Sequence, residues 1–367
     1  MKLSITKEEL TKALGIVSRG MSSRSTLPIL SGIFIEAAGR NVTFQTTDLE
    51  VSIRSTAIAF VERSGKTVVP GKLFLEIIKS LPDAAIQLTL ENERFRIECM
   101  NSSFTLNTLN PLDFPQFPEL SISKEACVGV PVLASMVKQV SRAVSRDESR
   151  AVLCGIYLVI KEGVLTLVAT DSYRLAISEK KLETNDVQDM NVILPGRTLD
   201  EVMKCAASEQ EIKIGLTDNQ VMMTFGDTVF VTRRIEGEFP NYRRLLPNDH
   251  TLQARVETDV LISTVKRVSL MAQSNSPIIF LFSGATQSIE VSSQSQDIGT
   301  AVETIPAEVD GNELKIAFNH SYILDGLNSI GSKETIIETL AAHKPGILRS
   351  SKGETDFLYL AMPVRLG

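Results

Sequence analysis

A pattern that recurs at an almost constant spacing constrains this chain more than any other feature. A strand-like apolar run, a Pro-Gly pair and a helical apolar pattern follow one another at residues 68–79 and again at residues 192–204. A third copy at residues 314–324 keeps the strand and the helix without the Pro-Gly pair. Pro195 lies 125 residues after Pro70. A strand-then-helix unit that occurs three times predicts three tandem repeats.

Two further landmarks repeat at nearly the same distance. Phe239-Pro240 lies 125 residues after Phe114-Pro115, and Thr170-Asp171 lies 123 residues after Thr47-Asp48. The third repeat has Gln294-Ser295 where the others have Thr-Asp. A repeat of roughly 120 residues is large enough to carry a core of its own. We therefore expect three domains, at residues 1–120, 121–249 and 250–367.

Each repeat contains the pattern of a helix, strands, a second helix and further strands. The first helix is expected to start after Thr6, because Glu9 stands three residues later and completes a capping box. Phe95, Ile97 and Cys99 alternate with polar residues, which predicts half-buried antiparallel strands. The expected fold class is therefore α+β, with two helices and antiparallel sheets in each of the three repeats.

The composition is typical of a globular protein, with 43% hydrophobic and 22% charged residues. The N-terminal residues are charged and alternating, unlike a signal peptide, and no apolar run approaches the roughly 18 residues that span a bilayer. The four cysteines are scattered, without a Cys-x-x-Cys pair. We therefore expect reduced thiols, a cytoplasmic location and no membrane partner.

No segment has the pattern of a catalytic site. Gly-Lys-Thr at residues 65–67 matches the end of a phosphate-binding loop, but Phe60 stands where that motif needs glycine, so we interpret it as a turn. Ser-Glu-Lys-Lys at residues 178–181 matches a hydrolase pattern short enough to occur by chance, and we expect a solvated loop. The three histidines have neither metal spacing nor a partnered nucleophile. We expect no enzyme activity, no metal and no cofactor.

Basic residues follow a helical spacing in the second repeat. Lys138, Arg142, Arg146 and Arg150 recur every four residues, which predicts one basic stripe along a helix with an apolar opposite face. A solvated helix face is the commoner meaning of such a stripe. However, the first helices of the other repeats share this bias, although the whole chain carries a net charge of −6. Basic helices on an acidic protein favour a surface that follows DNA phosphates without recognising bases.

Several motifs together resemble one family. These are the three repeats, Thr-Leu-Pro-Ile-Leu at 26–30, Thr-Asp-Ser-Tyr-Arg-Leu-Ala at 170–176, Phe-Pro-Asn-Tyr-Arg-Arg-Leu-Leu-Pro at 239–247 and Met-Pro-Val-Arg-Leu at 362–366. Over its whole length the chain is similar to the bacterial DNA polymerase III β subunits, the sliding clamps. The resemblance implies a DNA-clamp fold and a head-to-tail homodimer, whose six modules form a closed ring with helices lining the pore.

The resemblance also implies partners and their binding site. A sliding clamp has no catalysis of its own; an ATP-driven loader places it on double-stranded DNA, where it acts as a processivity factor in DNA replication. Its peptide groove, between the second and third modules, takes short linear motifs of the polymerase III α subunit, the clamp-loader complex, other polymerases and repair proteins. The matching positions here are Leu153, Thr170, Ser172, Tyr173, Arg174, Leu175, Pro240, Arg244, Leu245, Asn319, Tyr322, Leu360, Met362, Pro363, Val364 and Arg365.

Two departures from the family concern the groove. Well-known members have Gly-His in place of Ser172-Tyr173 and an aromatic residue near Ser276, so we expect a differently shaped rim. The resemblance assigns DNA binding to Arg24, Arg150 and Arg197, in addition to the basic stripe. For the ring interface it implies contact, edge strand to edge strand, between residues of one chain and residues of the other. These are Phe104 and Leu106 against Leu270 and Met271.

Two classes of function remain open at this stage. The first is a processivity clamp, a ring that binds without chemistry. The second is a monomeric nucleic-acid-binding or scaffold protein that uses its basic helices as an electrostatic patch. A ring leaves linear DNA over its ends but stays on circles, whereas salt removes a patch binder from both. An enzyme is a distant third, because it would need a nucleophile or metal site that the chain does not offer.

Overall fold

The helices follow the predicted repeats. The computed structural model describes residues 1–22, 27–182, 188–272, 277–295, 299–351 and 356–365. Thr6 caps the first helix as predicted, because its side chain accepts a hydrogen bond from the Glu9 N–H at 3.3 Å. The described ranges contain six α-helices: α1 (Lys7–Val17), α2 (Gly71–Ser80), α3 (Val130–Val140), α4 (Gly196–Cys205), α5 (Thr258–Val268) and α6 (His320–Ile330).

Strands make up the rest of each repeat, and the predicted alternation is present. Phe95, Ile97 and Cys99 are buried, while Arg94 before Phe95 and Arg96 after it are exposed. The first repeat has β1 (Lys2–Thr6), β2 (Gly32–Ala38), β3 (Asn41–Thr47), β4 (Val51–Ile58), β5 (Phe60–Arg63), β6 (Gly65–Pro70), β7 (Ala85–Glu91), β8 (Arg94–Cys99) and β9 (Ser102–Asn107).

The second and third repeats continue this series. The second has β10 (Lys124–Gly129), β11 (Gly155–Lys161), β12 (Val164–Thr170), β13 (Arg174–Lys181), β14 (Met190–Pro195), β15 (Glu211–Leu216), β16 (Gln220–Phe225) and β17 (Thr228–Arg233). The third has β18 (Leu252–Glu257), β19 (Ile278–Ser283), β20 (Ser288–Ser295), β21 (Gly299–Pro306), β22 (Glu308–Gly311), β23 (Leu314–Phe318), β24 (Glu334–Thr339), β25 (Gly346–Ser350) and β26 (Asp356–Ala361). Each of these strands pairs antiparallel with its sheet neighbours.

The contacts within the chain define two compact units. The first comprises Met1–Pro131 and Glu201–Arg234, and the second comprises Val132–Asp200 and Ile235–Gly367. The first unit contains a five-stranded sheet, in the order β5-β1-β7-β8-β9, and an eight-stranded sheet, in the order β10-β15-β16-β17-β4-β3-β2-β6. Strands of the first and second repeats join in the larger sheet, because β17 pairs with β4.

The second unit repeats this arrangement. It contains a nine-stranded sheet, in the order β14-β11-β12-β13-β26-β25-β24-β18-β22, and a four-stranded sheet, in the order β21-β20-β19-β23. Here the second and third repeats join through β13 and β26, with Leu175 opposite Leu360. Phe239 and Tyr242, from the segment after β17, pack on this sheet beside both leucines. A single buried apolar cluster therefore includes residues from both repeats.

The prediction of one continuous basic helix is wrong. α3 ends before Arg142, which lies in a short 3-10 helix, and Arg150 belongs to a further 3-10 segment with φ −116° and ψ 65°. Between them, Ser145 Oγ accepts from the Asp147 N–H, and Asp147 Oδ1 accepts from the Ser149 N–H, each at 3.1 Å. Side chains that bond nearby amides compete with the hydrogen bonds of a helix. The regular spacing of charge therefore continues past the end of the helix.

Two short segments predicted as a turn and a loop are strands. Gly65 begins β6, which pairs with β2. Ser178 lies within β13 and is fully buried, and its hydroxyl donates to Gln139 Oε1 at 2.6 Å. A local pattern does not reveal the distant strand with which a segment pairs, so polar residues at these positions resembled surface loops.

Candidate peptide groove and nucleic-acid interface

The turn between β12 and β13 is built by two side chains. Thr170 Oγ1 donates to the Arg174 carbonyl at 2.7 Å and accepts from the Ser172 N–H at 3.2 Å. Asp171 Oδ1 accepts from the Tyr173 N–H at 2.9 Å and from the Arg174 N–H at 3.0 Å. These bonds pair the backbone N–H and carbonyl groups of a tight turn. Tyr173, at the tip of the turn, is 59% exposed.

The first repeat contains the same turn, which explains why the Thr-Asp pair recurs. Thr47 Oγ1 donates to the Val51 carbonyl at 2.9 Å, and Asp48 Oδ1 accepts from the Val51 N–H at 2.7 Å. The residue after the aspartate has a positive φ in both turns, 79° for Leu49 and 81° for Ser172. Only glycine adopts that conformation without strain, which accounts for the glycine that the resemblance implies at the Ser172 position.

This strain makes a prediction about stability. Ser172→Gly and Leu49→Gly are each expected to raise the free energy of unfolding by about 0.5–1 kcal/mol. The strain energy that glycine relieves in the folded turn is larger than the entropic stabilisation that it gives to the unfolded chain. Chemical denaturation at one protein concentration measures the change. Ser208→Gly is a matched control, since Ser208 is exposed and its φ is not positive, and it should be slightly destabilising. Equal effects of the three substitutions would rule out strain at these turns.

Arg174 is the centre of a largely buried polar cluster behind the turn. Its Nε donates to Asp171 Oδ2 at 2.9 Å, its Nη1 donates to Asp325 Oδ2 and to Tyr359 Oη, and its guanidinium carbon lies 4.5 Å from the centre of the Tyr322 ring. Burial lowers the pKa of Arg174, but Tyr359 and the two aspartates raise it by more. The guanidinium therefore stays charged and is held from several sides.

Tyrosines and the start of α6 form the adjoining wall. The rings of Tyr173 and Tyr322 lie 6.4 Å apart at an angle of 27°, and the Tyr359 hydroxyl donates to the Tyr322 carbonyl at 2.8 Å. Burial raises the pKa of the Tyr359 hydroxyl well above its ordinary value, so it remains a donor. Asn319 Oδ1 accepts from the N–H groups of Ser321 and Tyr322, which makes Asn319 the N-cap of α6.

The C-terminal segment runs along this wall. Met362 N–H donates to the Tyr173 carbonyl at 2.9 Å, and Val364 N–H donates to the Ala317 carbonyl at 2.8 Å. With the backbone held on both sides, the Met362 side chain is 43% exposed and Arg365 is exposed beside it. The structure thus brings Tyr173, Arg174, Tyr322 and residues 362–365 together, as the resemblance implies.

The other predicted groove residues differ in exposure. Leu153, Leu175 and Leu360 are buried, and the last two belong to the apolar cluster on the nine-stranded sheet, whereas Leu245 is 53% exposed. Leu245 ends a 3-10 helix that also contains Arg244 and the buried Tyr242, which contacts the cluster around Leu175 and Leu360. Pro240 and Arg244 are exposed, and Pro363 is half-buried. A groove with an apolar floor and a mixed polar and aromatic rim suits an extended peptide with apolar anchors.

Asp171, Asp325 and the buried Tyr359 belong to the site although none of them was among the residues predicted from sequence. Asp325 follows Tyr322 by three residues along α6, which places both side chains on one face of the helix. That spacing could have identified Asp325. The role of Tyr359 had no local signal, because its hydroxyl reaches Arg174 only through the pairing of β26 with β13.

The predicted DNA-binding residues that the structure describes are exposed, but two of them also contact groove residues. Lys138, Arg146 and Arg197 are exposed. Arg142 Nη1 donates to Asp325 Oδ1 at 3.1 Å, and Arg150 Nη1 donates to Ser172 Oγ at 2.9 Å. Arg150 also pairs with Asp147 at 2.9 Å. Arg24 and Ser276 lie outside the described residues.

Three of the four predicted interface residues differ from the expectation of exposed edge-strand residues. β9 is an edge strand and its Phe104 is 37% exposed, but Leu106 is only 6% exposed because it points into its own sheet opposite Phe95. Leu270 and Met271 lie in a 3-10 helix, and the edge strand of their sheet is β21. Leu270 is 75% exposed.

Among the described residues, no group of three or more His, Cys, Asp or Glu side chains could hold a metal ion. In the same ranges, every helix is too short or too polar to cross a membrane.

Comparison with known proteins gives one result along the whole chain. Family models described as the N-terminal, central and C-terminal domains of the DNA polymerase III beta subunit match residues 1–118, 128–241 and 243–365. The chain is 34% identical to the beta sliding clamp of Staphylococcus aureus strain N315, over 100% of this chain and 99% of that protein. For Staphylococcus epidermidis the identity is 33% with the same coverage.

Solved structures agree with this result. The DNA polymerase sliding clamp of Bacillus subtilis superimposes with a TM-score of 0.94 at 31% identity, and the DNA polymerase III subunit beta of Pseudomonas aeruginosa with 0.94 at 27%. The beta subunit of Streptococcus pyogenes DNA polymerase gives 0.95 at 25%. Each comparison covers 100% of both chains. The expected α+β fold with three clamp domains is confirmed.

Proposed function

We propose, because this chain belongs to the DNA polymerase III beta subunit family, that it is a DNA sliding clamp for replication. The match of three consecutive domain models along the whole chain carries the proposal. Domain limits at residues 1–120, 121–249 and 250–367 are part of it. The ring encircles double-stranded DNA and tethers the replicative polymerase without chemistry of its own. It acts in the cytoplasm, where bacterial DNA is replicated.

The ring consists of two copies joined head to tail. Two of the edge strands, β9 in the first unit and β21 in the second, are unlike in sequence and carry exposed apolar side chains, Phe104 and Val302. An open edge strand is a template for pairing with another chain. If β9 of one copy meets β21 of the other, two such contacts close the assembly and leave neither edge free. Leu270, beside β21, becomes buried there.

The expected assembly can be tested with one matched pair of substitutions. Light scattering after gel filtration should give about twice the chain mass of 40.2 kDa for the unchanged protein. Leu270→Lys should shift the mass to that of one chain at micromolar concentration, because a buried, unpaired lysine opposes the contact. Leu112→Lys is the control, since Leu112 is 77% exposed and also lies in a 3-10 helix. A dimer that resists Leu270→Lys would contradict this interface.

The pore surface follows phosphates through Arg24, Lys138, Arg142, Arg146, Arg150 and Arg197. Exposed basic residues on an acidic chain attract DNA without reading its sequence. Their attraction guides and centres the duplex, while closure of the ring retains it. This distinguishes the proposal from a monomeric protein that binds nucleic acid by charge alone.

The groove on the second unit docks the partners. Its occupants are short linear motifs of the polymerase III α subunit, the clamp loader, other polymerases and repair proteins. The exposed side chains of Tyr173, Leu245, Met362 and Val364 support this assignment, because exposed large apolar groups in segments that pack on one sheet favour a partner-binding surface. Arg174 and Arg365 provide donors for the polar groups of a peptide.

A further inference from the structure

Asp325 contacts both candidate surfaces with a single carboxylate. Its Oδ1 accepts from Arg142 Nη1 at 3.1 Å, and its Oδ2 accepts from Arg174 Nη1. Arg142 is one of the residues assigned to DNA, whereas Arg174 belongs to the groove wall. Arg150 and Ser172 also join the two surfaces through one hydrogen bond, but Asp325 bonds an arginine on each surface with a single carboxylate.

The two arginines that share Asp325 differ in their surroundings. The Arg174 side chain is only 12% exposed and has further partners in Asp171, Tyr359 and the Tyr322 ring. The Arg142 side chain is 44% exposed, and the described residues offer it no second acidic partner. Exposed ion pairs are weak and exchange readily with other partners. A phosphate can therefore replace Asp325 at Arg142, whereas Arg174 stays in place.

We propose that Asp325 is a positioning residue that couples DNA binding to the groove. The inference rests on the proposed function, since that function assigns Arg142 to DNA and Arg174 to the peptide. When a DNA phosphate oxygen replaces Oδ1 as the acceptor for Arg142, the Asp325 carboxylate interacts with Arg174 alone. Arg174 is then held more firmly against Tyr322, so less of its freedom is lost when a peptide binds.

Two consequences follow from this exchange. Peptide binds more tightly to the DNA-bound protein, by about two- to fivefold, the range that an exposed ion pair can supply. By linkage, a bound peptide strengthens DNA binding by the same factor. The size of the effect depends on Arg142 and Asp325, and it does not depend on basic residues that have no contact with the carboxylate.

Fluorescence anisotropy tests the coupling on the full-length protein. The probe is a labelled peptide with the clamp-binding motif of the polymerase α subunit, titrated with and without a saturating short duplex at low salt. The dissociation constant of the peptide without DNA, divided by that with DNA, should be about two to five for the unchanged protein. This ratio should fall towards one in Arg142→Gln and in Asp325→Asn. Arg146→Gln is the matched control: it should weaken DNA binding but keep the ratio at saturating duplex.

The outcomes separate this inference from the function on which it rests. If peptide or duplex fails to bind the unchanged protein, the proposed function is wrong. If peptide and duplex both bind but the ratio of dissociation constants is one or lower, Asp325 does not couple the surfaces. The same conclusion follows if a ratio above one is unchanged in Arg142→Gln. Arg142→Gln keeps the test decisive even if Asp325→Asn disturbs the fold, because the Arg142 side chain is substantially solvent-exposed. A merely structural role of Asp325 would alter peptide affinity equally with and without DNA.

Discussion

Once a clamp loader has placed this protein on a nicked circular duplex, it is expected to remain there through a high-salt wash. Cutting the circle should release it at least about tenfold faster, because a closed ring can then slide over the ends. Attraction between basic residues and phosphates cannot produce this difference, since the charge of the DNA is the same before and after the cut. Gel filtration of the labelled protein with each DNA form measures the retained fraction.

The monomeric patch binder gives the opposite result. Its affinity for circular and linear DNA would fall together by roughly three to five orders of magnitude between low and physiological salt if it made six to ten phosphate contacts. Equal release from both DNA forms, with the same dependence on salt, would therefore exclude the ring. Leu270→Lys is the internal control, because a protein that cannot close should behave as a patch binder on both substrates.

Met362→Ala combined with Arg365→Ala is expected to weaken partner-peptide binding by about 30-fold or more, the effect of removing central groove contacts. Met362 is 43% exposed and its backbone is held by the Tyr173 carbonyl, so its side chain is presented to a ligand. Since Arg365 is also exposed, the two substitutions leave the core intact. Isothermal titration with the polymerase-motif peptide measures the loss.

A matched double variant shows whether the loss is local. Arg40→Ala with Leu112→Ala also removes an exposed arginine and a large exposed apolar side chain, but neither residue belongs to the groove. It should bind peptide normally, and both double variants should retain the dimer mass in light scattering. Unchanged peptide affinity in the Met362/Arg365 variant would show that the partner site lies elsewhere.

The parts of this fold that depend on local sequence could be predicted. The Thr6 cap and the alternation in β8 depend on neighbouring residues, and both are present in the structure. The prediction of one continuous basic helix was wrong for a local reason as well. The side chains of Ser145 and Asp147 accept hydrogen bonds from backbone amides that would otherwise bond within a helix. Charge spacing contains no information about those bonds.

The parts that depend on distant pairing could not be predicted. Arg174 was assigned to the groove through the family resemblance, but its contacts with Asp325 and Tyr359 join residues about 150 and 185 positions apart. Similarly, the burial of Leu106 depends on its register opposite Phe95. Such contacts arise only when strands from separate parts of the chain meet, and local sequence patterns do not reveal which strands those are.

The joining of strands across repeats has a consequence for cooperativity. The eight-stranded sheet unites β4 with β17, and the nine-stranded sheet unites β13 with β26. The middle repeat is thus divided between the two compact units, and the three repeats of the sequence do not coincide with those units. An ancestral module copied in tandem would have gained shared hydrogen-bond ladders at each junction, after which no copy could be excised without exposing the edge of its neighbour.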